Sequence, residues 1–493
     1  MKKILCHVML LLAAVSSLQA FDSPYLTGYA GLLGNFTVAP NDYRKPDKEA
    51  DTFSEQIGKT FDNPQLFAQG YFGGQMQFKD TLMLHGDFCI DTKDILGKKL
   101  FGDTGRWNST FKIQETSAVL KLRTSSVSHY LSAFYGEYEP IGSDVFLQRQ
   151  FGIAPIRSDL TSSFCSLNGT SINSNYGGGF SYVLRMPMPI AAGLYIYKDQ
   201  RDNYDKIYES WENSSSLEGR RDAYNADFRI AGAFEQITFD FRAGAALPND
   251  SSDGSLDRGF LKMDYLSLKA GLNILAGKPT SIFNVLLQTG FSDLIVDPGH
   301  VKTPRVKKTA KGELVENNSA LNWNNAAQNF YFLLEPRLNL PQAKFSATLF
   351  NIPYSQAEKM FYLNNYNGGS QHRNEGYVNN NIREYVNPCG IDLHASTDMF
   401  RLGDMNFTTG MHLTFSVGGQ TLQDLYRDST AELPKERNHK HYWNKTVFAT
   451  PYVKIPVHGG EVFAATTVSS QIFNKQDNWP SAINVKIGFK IHF

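Results

Sequence analysis

Cysteine is scarce, long apolar runs are missing beyond the N-terminus, and neither charge sign prevails. The 493 residues hold 4 cysteines. Cys6 lies in the leader described below, which leaves the odd set Cys89, Cys165 and Cys389. That is no disulfide framework, and at most one pair can close within the chain. Past the leader there is no run of 18 apolar residues, so helical membrane spans are excluded. Lys plus Arg and Asp plus Glu both number 48, and no long basic stretch occurs. Balanced charge of this kind argues against nucleic-acid binding. Global disorder is disfavoured too, because 35 Phe and 24 Tyr supply ample burial surface.

What is present begins with an export signal. Lys2 and Lys3 form a basic start, Ile4 to Val15 is apolar, and Ser16 to Ala20 is a small, polar exit. This reads as a secretory signal peptide over residues 1–20, cleaved near Ala20. Residues 21–493 are then expected to form one domain.

The rest of the chain is dominated by period-two alternation, the mark of a strand with unlike faces. In 224–241, Tyr224, Ala226, Phe228 and Ile230 share one face while Asn225, Asp227 and Arg229 share the other. After Glu235-Gln236 the apolar face resumes at Ile237, Phe239 and Phe241, and the polar one at Thr238, Asp240 and Arg242. The same grammar predicts eighteen strands, beginning at 25–38 and ending at 482–493. Sixteen is the alternative count, because the first strand and some later segments alternate poorly. Pro336 interrupts an otherwise regular apolar face, since proline cannot donate to a ladder.

Connection lengths give the architecture. Short links such as 79–81, 186–189 and 235–236 alternate with long ones such as 139–177, 293–327 and 352–388. An outer-membrane barrel has this asymmetry: short periplasmic turns and long external loops. The fold expected is therefore all-β, a transmembrane antiparallel up-and-down barrel. Such a barrel leaves no backbone edge facing lipid.

The last strand adds a resemblance. Phe493, Ile491, Phe489, Ile487 and Val485 alternate without a break. This resembles the terminal strand of Gram-negative outer-membrane β-barrel proteins, porins among them. The resemblance implies that Phe489, Ile491 and Phe493 are read by the barrel-assembly machinery. It also implies outer-membrane lipid as surroundings, and it leaves a homotrimer possible.

A barrel of this size leaves an aqueous channel rather than a filled core. The function expected is passive diffusion of small hydrophilic solutes or ions. The polar faces nominate Asp227, Arg229, Asp240, Arg242, Lys269, Glu335, Arg337, Asp392 and His394 as pore-lining residues. A hydrated wall explains them without any selectivity role. Loop 139–177 contains Val145, Phe146, Leu147, Phe151 and Ile153, unusually apolar for an exposed loop. Folded inside, it would place Asp144, Arg149, Arg157 and Asp159 at a constriction. An ordinary surface loop or lid is the competing reading. A bond from Cys165 to Cys89 or Cys389 would pin this loop.

Other readings are weaker. Asp392, His394 and Ser396, with His412, suggest a barrel hydrolase, but same-face neighbours on one strand sit about 7 Å apart. Asp250, Asp253, Gly254 and Asp257 lack calcium-loop spacing, and Gly277-Lys278-Pro279-Thr280 lacks the phosphate-loop pattern. The basic run Lys302 to Lys311 and the long loops allow a surface adhesin. No enzyme activity, cofactor or metal is expected.

Overall fold

The computed structural model describes residues 25–37, 64–79, 81–92, 109–124, 126–142, 145–153, 157–161, 172, 176–199, 223–248, 266–295, 306–308, 314–316, 330–352, 389–402, 405–417, 445–469 and 483–492. The leader, Asp144, Cys165 and Phe493 lie outside them, as do 250–257 and most of the Lys302–Lys311 run.

The first eleven strands are β1 (Tyr25–Thr37), β2 (Pro64–Phe78), β3 (Leu82–Thr92), β4 (Ser109–Arg123), β5 (Ser128–Gly136), β6 (Gly177–Arg185), β7 (Ile190–Asp199), β8 (Ala223–Ala233), β9 (Ile237–Pro248), β10 (Ser267–Ala276) and β11 (Phe283–Ile295). A small hairpin, β12 (Val306–Lys308) and β13 (Leu314–Glu316), stands apart from them. It lies in a stretch where the alternation predicts only loop. The wall then resumes with β14 (Tyr331–Asn339), β15 (Ala343–Asn351), β16 (Cys389–Leu402), β17 (Met405–Val417), β18 (Lys445–Val457), β19 (Gly460–Ser469) and β20 (Ile483–His492).

Eighteen strands form one sheet, and each wall strand pairs antiparallel with its neighbours in sequence. β1 pairs with both β2 and β20, so the sheet closes into a barrel. The count of eighteen is thereby fixed and sixteen is set aside. Closure gives every strand two partners and removes the edges that lipid could not satisfy.

The two faces are inverted relative to a soluble protein. Phe180 and Ile196 point outward, 71% and 67% exposed, while Arg229 and Asp240 point inward and are fully buried. Ile487, Phe489 and Ile491 of β20 also face outward. Alternation sets this sidedness, because successive side chains leave opposite faces of a pleated strand.

Two prolines interrupt the wall without opening it. The β14–β15 register passes from Leu334↔Leu349 to Arg337↔Ser346, skipping Glu335 and Pro336. Thr348 Oγ1 spans the gap by donating to Glu335 Oε2 at 2.6 Å. The β18–β19 register likewise skips Thr450 and Pro451, and there Thr450 and Thr467 share a hydroxyl hydrogen bond. Side chains thus replace the rungs a proline cannot donate.

The inner face is less polar than the alternation suggests. Met83, Val119, Tyr130, Val183, Leu286 and Leu333 are all buried on it. They are covered by apolar residues of the segment that follows β5, described next.

Candidate functional site

The chain leaves β5 at Gly136 and turns into the barrel. Glu139 has φ +46°, and Gly136 and Gly142 lie at φ +110° and +87°. A short helix, α1 (Val145–Phe151), follows and stops at Gly152, whose φ of +67° and N–H bond to the Gln148 carbonyl form a left-handed cap. Phe146 and Leu147 of α1 are buried among Met83, Val119, Tyr130, Phe134 and Tyr195. Their apolar character, legible in the sequence, is what holds this loop inside.

The first mooring is electrostatic. Arg229 Nη1 donates to the Glu139 carbonyl oxygen at 2.6 Å, and Arg242 Nη1 reaches the same oxygen at 3.3 Å. The Glu139 side chain accepts from Tyr195 at 2.8 Å and faces Arg149 at 3.5 Å. Arg149 also pairs with Glu115 on β4 at 2.7 Å. Phe146 lies under the Arg229 guanidinium, 4.1 Å from its ring centre. A non-glycine residue at positive φ carries strain. Two guanidinium groups on its carbonyl hold Glu139 there.

Further along, Ile141 and Ile172 pack onto β10 and β11. Gly271 and Gly290 make room for them: a Cβ on Gly271 would stand 3.0 Å from Ile141, and one on Gly290 would collide with Ile172. Gln288 donates to the Gly142 carbonyl.

The second mooring lies across the lumen. Ser158 donates to Glu335, and Arg337 donates to the Arg157 carbonyl at 2.7 Å. Asp159 lies 3.7 Å from His394 on β16. Leu160 packs with Leu275, Leu286, Tyr331, Leu333 and Phe350. β4 and β16 stand eight strands apart one way and ten the other in a ring of eighteen. A segment touching both therefore crosses the lumen, and the surface-loop and lid readings are set aside for its described part.

The nominated residues fall into two groups. Asp227, Arg229, Asp240, Arg242, Lys269 and Asp392 lie on the inner wall but are buried. Arg229 pairs with Asp240, and Asp227 is shared by Arg242 at 2.6 Å and Lys269 at 3.0 Å. Glu335 and Arg337 pair at 2.6 Å beneath the second mooring. These charges hold each other and the loop. Arg149 does the same, with its charge turned to Glu115 rather than to the lumen.

Asp159 differs. Its side chain keeps 58% of its surface accessible inside the barrel. Enclosure by the wall opposes its ionisation, but Lys454, His394, His412 and Arg337 outweigh that and hold the carboxyl below the usual range. Arg157, two residues earlier in the chain, is half-buried.

The hydrolase constellation assembles differently from the sequence pattern. Asp392 accepts from His412 Nδ1 across the strand pair at 2.8 Å, and His394 stacks on His412 at 4.2 Å. Ser346 and Asp159 both approach Nδ1 of His394, while its Nε2 meets Tyr452 at 2.9 Å. A nucleophile relay needs hydroxyl and acid on opposite ring nitrogens. Ser346 and Asp159 instead share one nitrogen of His394, so no serine relay runs through that ring. Cys89 and Cys389 are half-buried, and Cys165, the third member of the cysteine set, lies outside the described residues.

A closed wall, apolar outside and charged inside, with a loop folded across the lumen, decides the architecture. The chain is a closed, eighteen-stranded antiparallel β-barrel with its apolar face outward. Its sequence matches no family model and no curated protein. Several solved barrels are similar over nearly the whole length. The barrel is 9% identical to Pseudomonas aeruginosa OpdK, solved with vanillate, covering 95% of this chain and 98% of that one at a TM-score of 0.42. A BenF-like porin from Pseudomonas fluorescens Pf-5 shares 9% identity, with 96% and 99% covered and a TM-score of 0.44. The DcaP channel of Acinetobacter baumannii shares 8%, with 96% and 97% covered, at 0.37. Such low values say nothing of what this barrel passes, and the functional reading rests on its own residues.

Sequence reasoning missed Glu115, Glu139 and Tyr195. Tyr195 had a usable signal, since it alternates with the outward Leu194 and Ile196. Glu139 precedes Pro140, which restricts its backbone. Nothing local marks Glu115.

Proposed function

We propose that the barrel resides in a bacterial outer membrane and passes small hydrophilic solutes or ions by passive diffusion. The observation that carries this reading is the loop crossing the lumen. Its moorings engage Arg229, Arg242, Glu115, Glu335 and Arg337 of the wall, yet they leave Asp159 accessible and Arg157, two residues before it, half-buried. A size limit set by the loop and a charge bias set by these two residues account for the selectivity of such a channel. Of Asp144, Arg149, Arg157 and Asp159, Arg149 moors, Arg157 and Asp159 meet the solute, and Asp144, just ahead of α1, lies outside the described residues. No catalytic residue or cofactor is assigned.

In this reading residues 1–20 are removed on export and 21–493 form the single barrel domain. The last strand, with Phe489, Ile491 and Phe493, is offered to the assembly machinery, so deleting Phe493 should slow assembly in cells. Cross-linking in membranes tests for a homotrimer.

The direct test is single-channel recording of the refolded protein in a planar bilayer. Stable ohmic openings in salt are expected. A folded barrel that never conducts would overturn the channel reading and favour a surface adhesin that displays its long loops.

A further inference from the structure

Beneath the first mooring, three ligand-type side chains converge on the inner wall. His85 and Asp87 sit two apart on β3, and Glu115 stands directly opposite Asp87 on β4. All three are buried, and one ligand atom from each lies within 4.8 Å of the others. His85 Nε2 is 3.0 Å from Asp87 Oδ2 and 3.7 Å from Glu115 Oε1. A tetrahedral ion with bonds of about 2.0–2.1 Å holds neighbouring ligand atoms about 3.3–3.4 Å apart. The observed separations bracket that value.

We propose that His85, Asp87 and Glu115 bind a divalent transition-metal ion of the Zn²⁺ type.

Three further observations point the same way. Asp87 Oδ1 is buried without a hydrogen-bond partner, and buried polar atoms are rarely left so. The β3–β4 register shifts at Asp87/Phe88, and such bulges commonly re-aim side chains at functional sites. Gly73 faces Asp87 from β2, and a Cβ there would stand 2.5 Å from Asp87 Oδ1. The wall thus leaves space for that carboxylate to swing. Charge balance agrees. Asp87, Glu115 and Glu139 surround this spot, and Arg149 is the cation paired with the latter two. Buried carboxylates in excess of cations call for a further positive charge. Imidazole with carboxylates suits zinc and its neighbours rather than magnesium, which prefers oxygen alone.

Glu115 Oε1 is also the atom that receives Arg149. Ion and helix α1 therefore compete for one oxygen. The site does not depend on whether the barrel conducts.

The test is Zn²⁺ binding to the chelator-treated, detergent-purified barrel, followed by calorimetry in excess Mg²⁺. One saturable ion per chain is expected. H85A and D87N, each checked for the heat-modifiable gel migration of a folded barrel, should weaken binding by at least ~10-fold. R149Q should tighten it, and binding that is no tighter would overturn the shared oxygen. Absence of a saturable site, or affinity unchanged in both H85A and D87N, would overturn the proposal. Zinc-edge X-ray absorption of the wild type needs no variant. One imidazole among oxygen ligands is expected, and a shell without imidazole would also overturn it.

Discussion

Arg229 holds the backbone of Glu139 across ninety residues of sequence, donating to its carbonyl oxygen at 2.6 Å. The same guanidinium pairs with Asp240 and covers Phe146. One buried wall residue thereby fixes both the turn that sends the loop inward and the helix that follows.

Replacing Arg229 with Ala should be costly. It strands the fully buried Asp240 without its cation, a loss of about 3–5 kcal/mol. It also frees Glu139, which relies on this bond to keep its positive φ. The heat-modifiable band should convert at lower temperature, and the channels that form should conduct more, with greater noise. Unchanged conductance in R229A would count against the loop as the constriction.

Asp159 makes the opposite prediction. Its side chain is largely accessible, so D159N should change stability by less than about 1 kcal/mol. Removing its negative charge should shift the reversal potential in a salt gradient toward anion preference. R157Q should shift it toward cations. A D159N channel with wild-type selectivity would remove Asp159 from the solute path.

The charge of Asp159 should also resist acid. Neighbouring cations hold its carboxyl below the usual range. A lowered carboxyl contributes its charge, and its attraction to Lys454, above the ordinary carboxylate value, and loses both as pH falls through the depressed one. The difference in reversal potential between wild type and D159N should therefore persist down to about pH 4 and vanish only below it. A difference that disappears near pH 5 would contradict this.

Gly290 tests the packing of the loop on the wall. A side chain there meets Ile172 and the Ala270 carbonyl, the latter at 2.5 Å from the new Cβ. G290V should cost about 1–3 kcal/mol through overpacking. It should also expose the described part of the loop to added protease in detergent. The outward-facing Ile196→Arg should instead cost about 2–4 kcal/mol if it lies near the bilayer midplane, leaving selectivity untouched. Equilibrium unfolding in lipid vesicles separates the two effects.

The wall was readable in the sequence to a high degree. Tyr224 to Phe241 alternates so regularly that face, turn and partner strand follow directly, and β8 and β9 pair as that pattern requires. The inward path of the loop had a local signal as well, in Phe146, Leu147, Phe151 and Ile153. The role of the wall charges was not readable. Asp227, Arg229, Asp240 and Arg242 look like pore lining in one dimension, yet they are spent on each other and on Glu139.

By itself, then, the sequence determined strand, face and sidedness, because a pleated strand assigns each residue to one side by parity alone. Only the tertiary structure decided which charges meet. Glu139 finds Arg229, and Ser158 finds Glu335, through closure of eighteen strands and the route of one loop across them. Those distances depend on the whole ring, and no local periodicity encodes them.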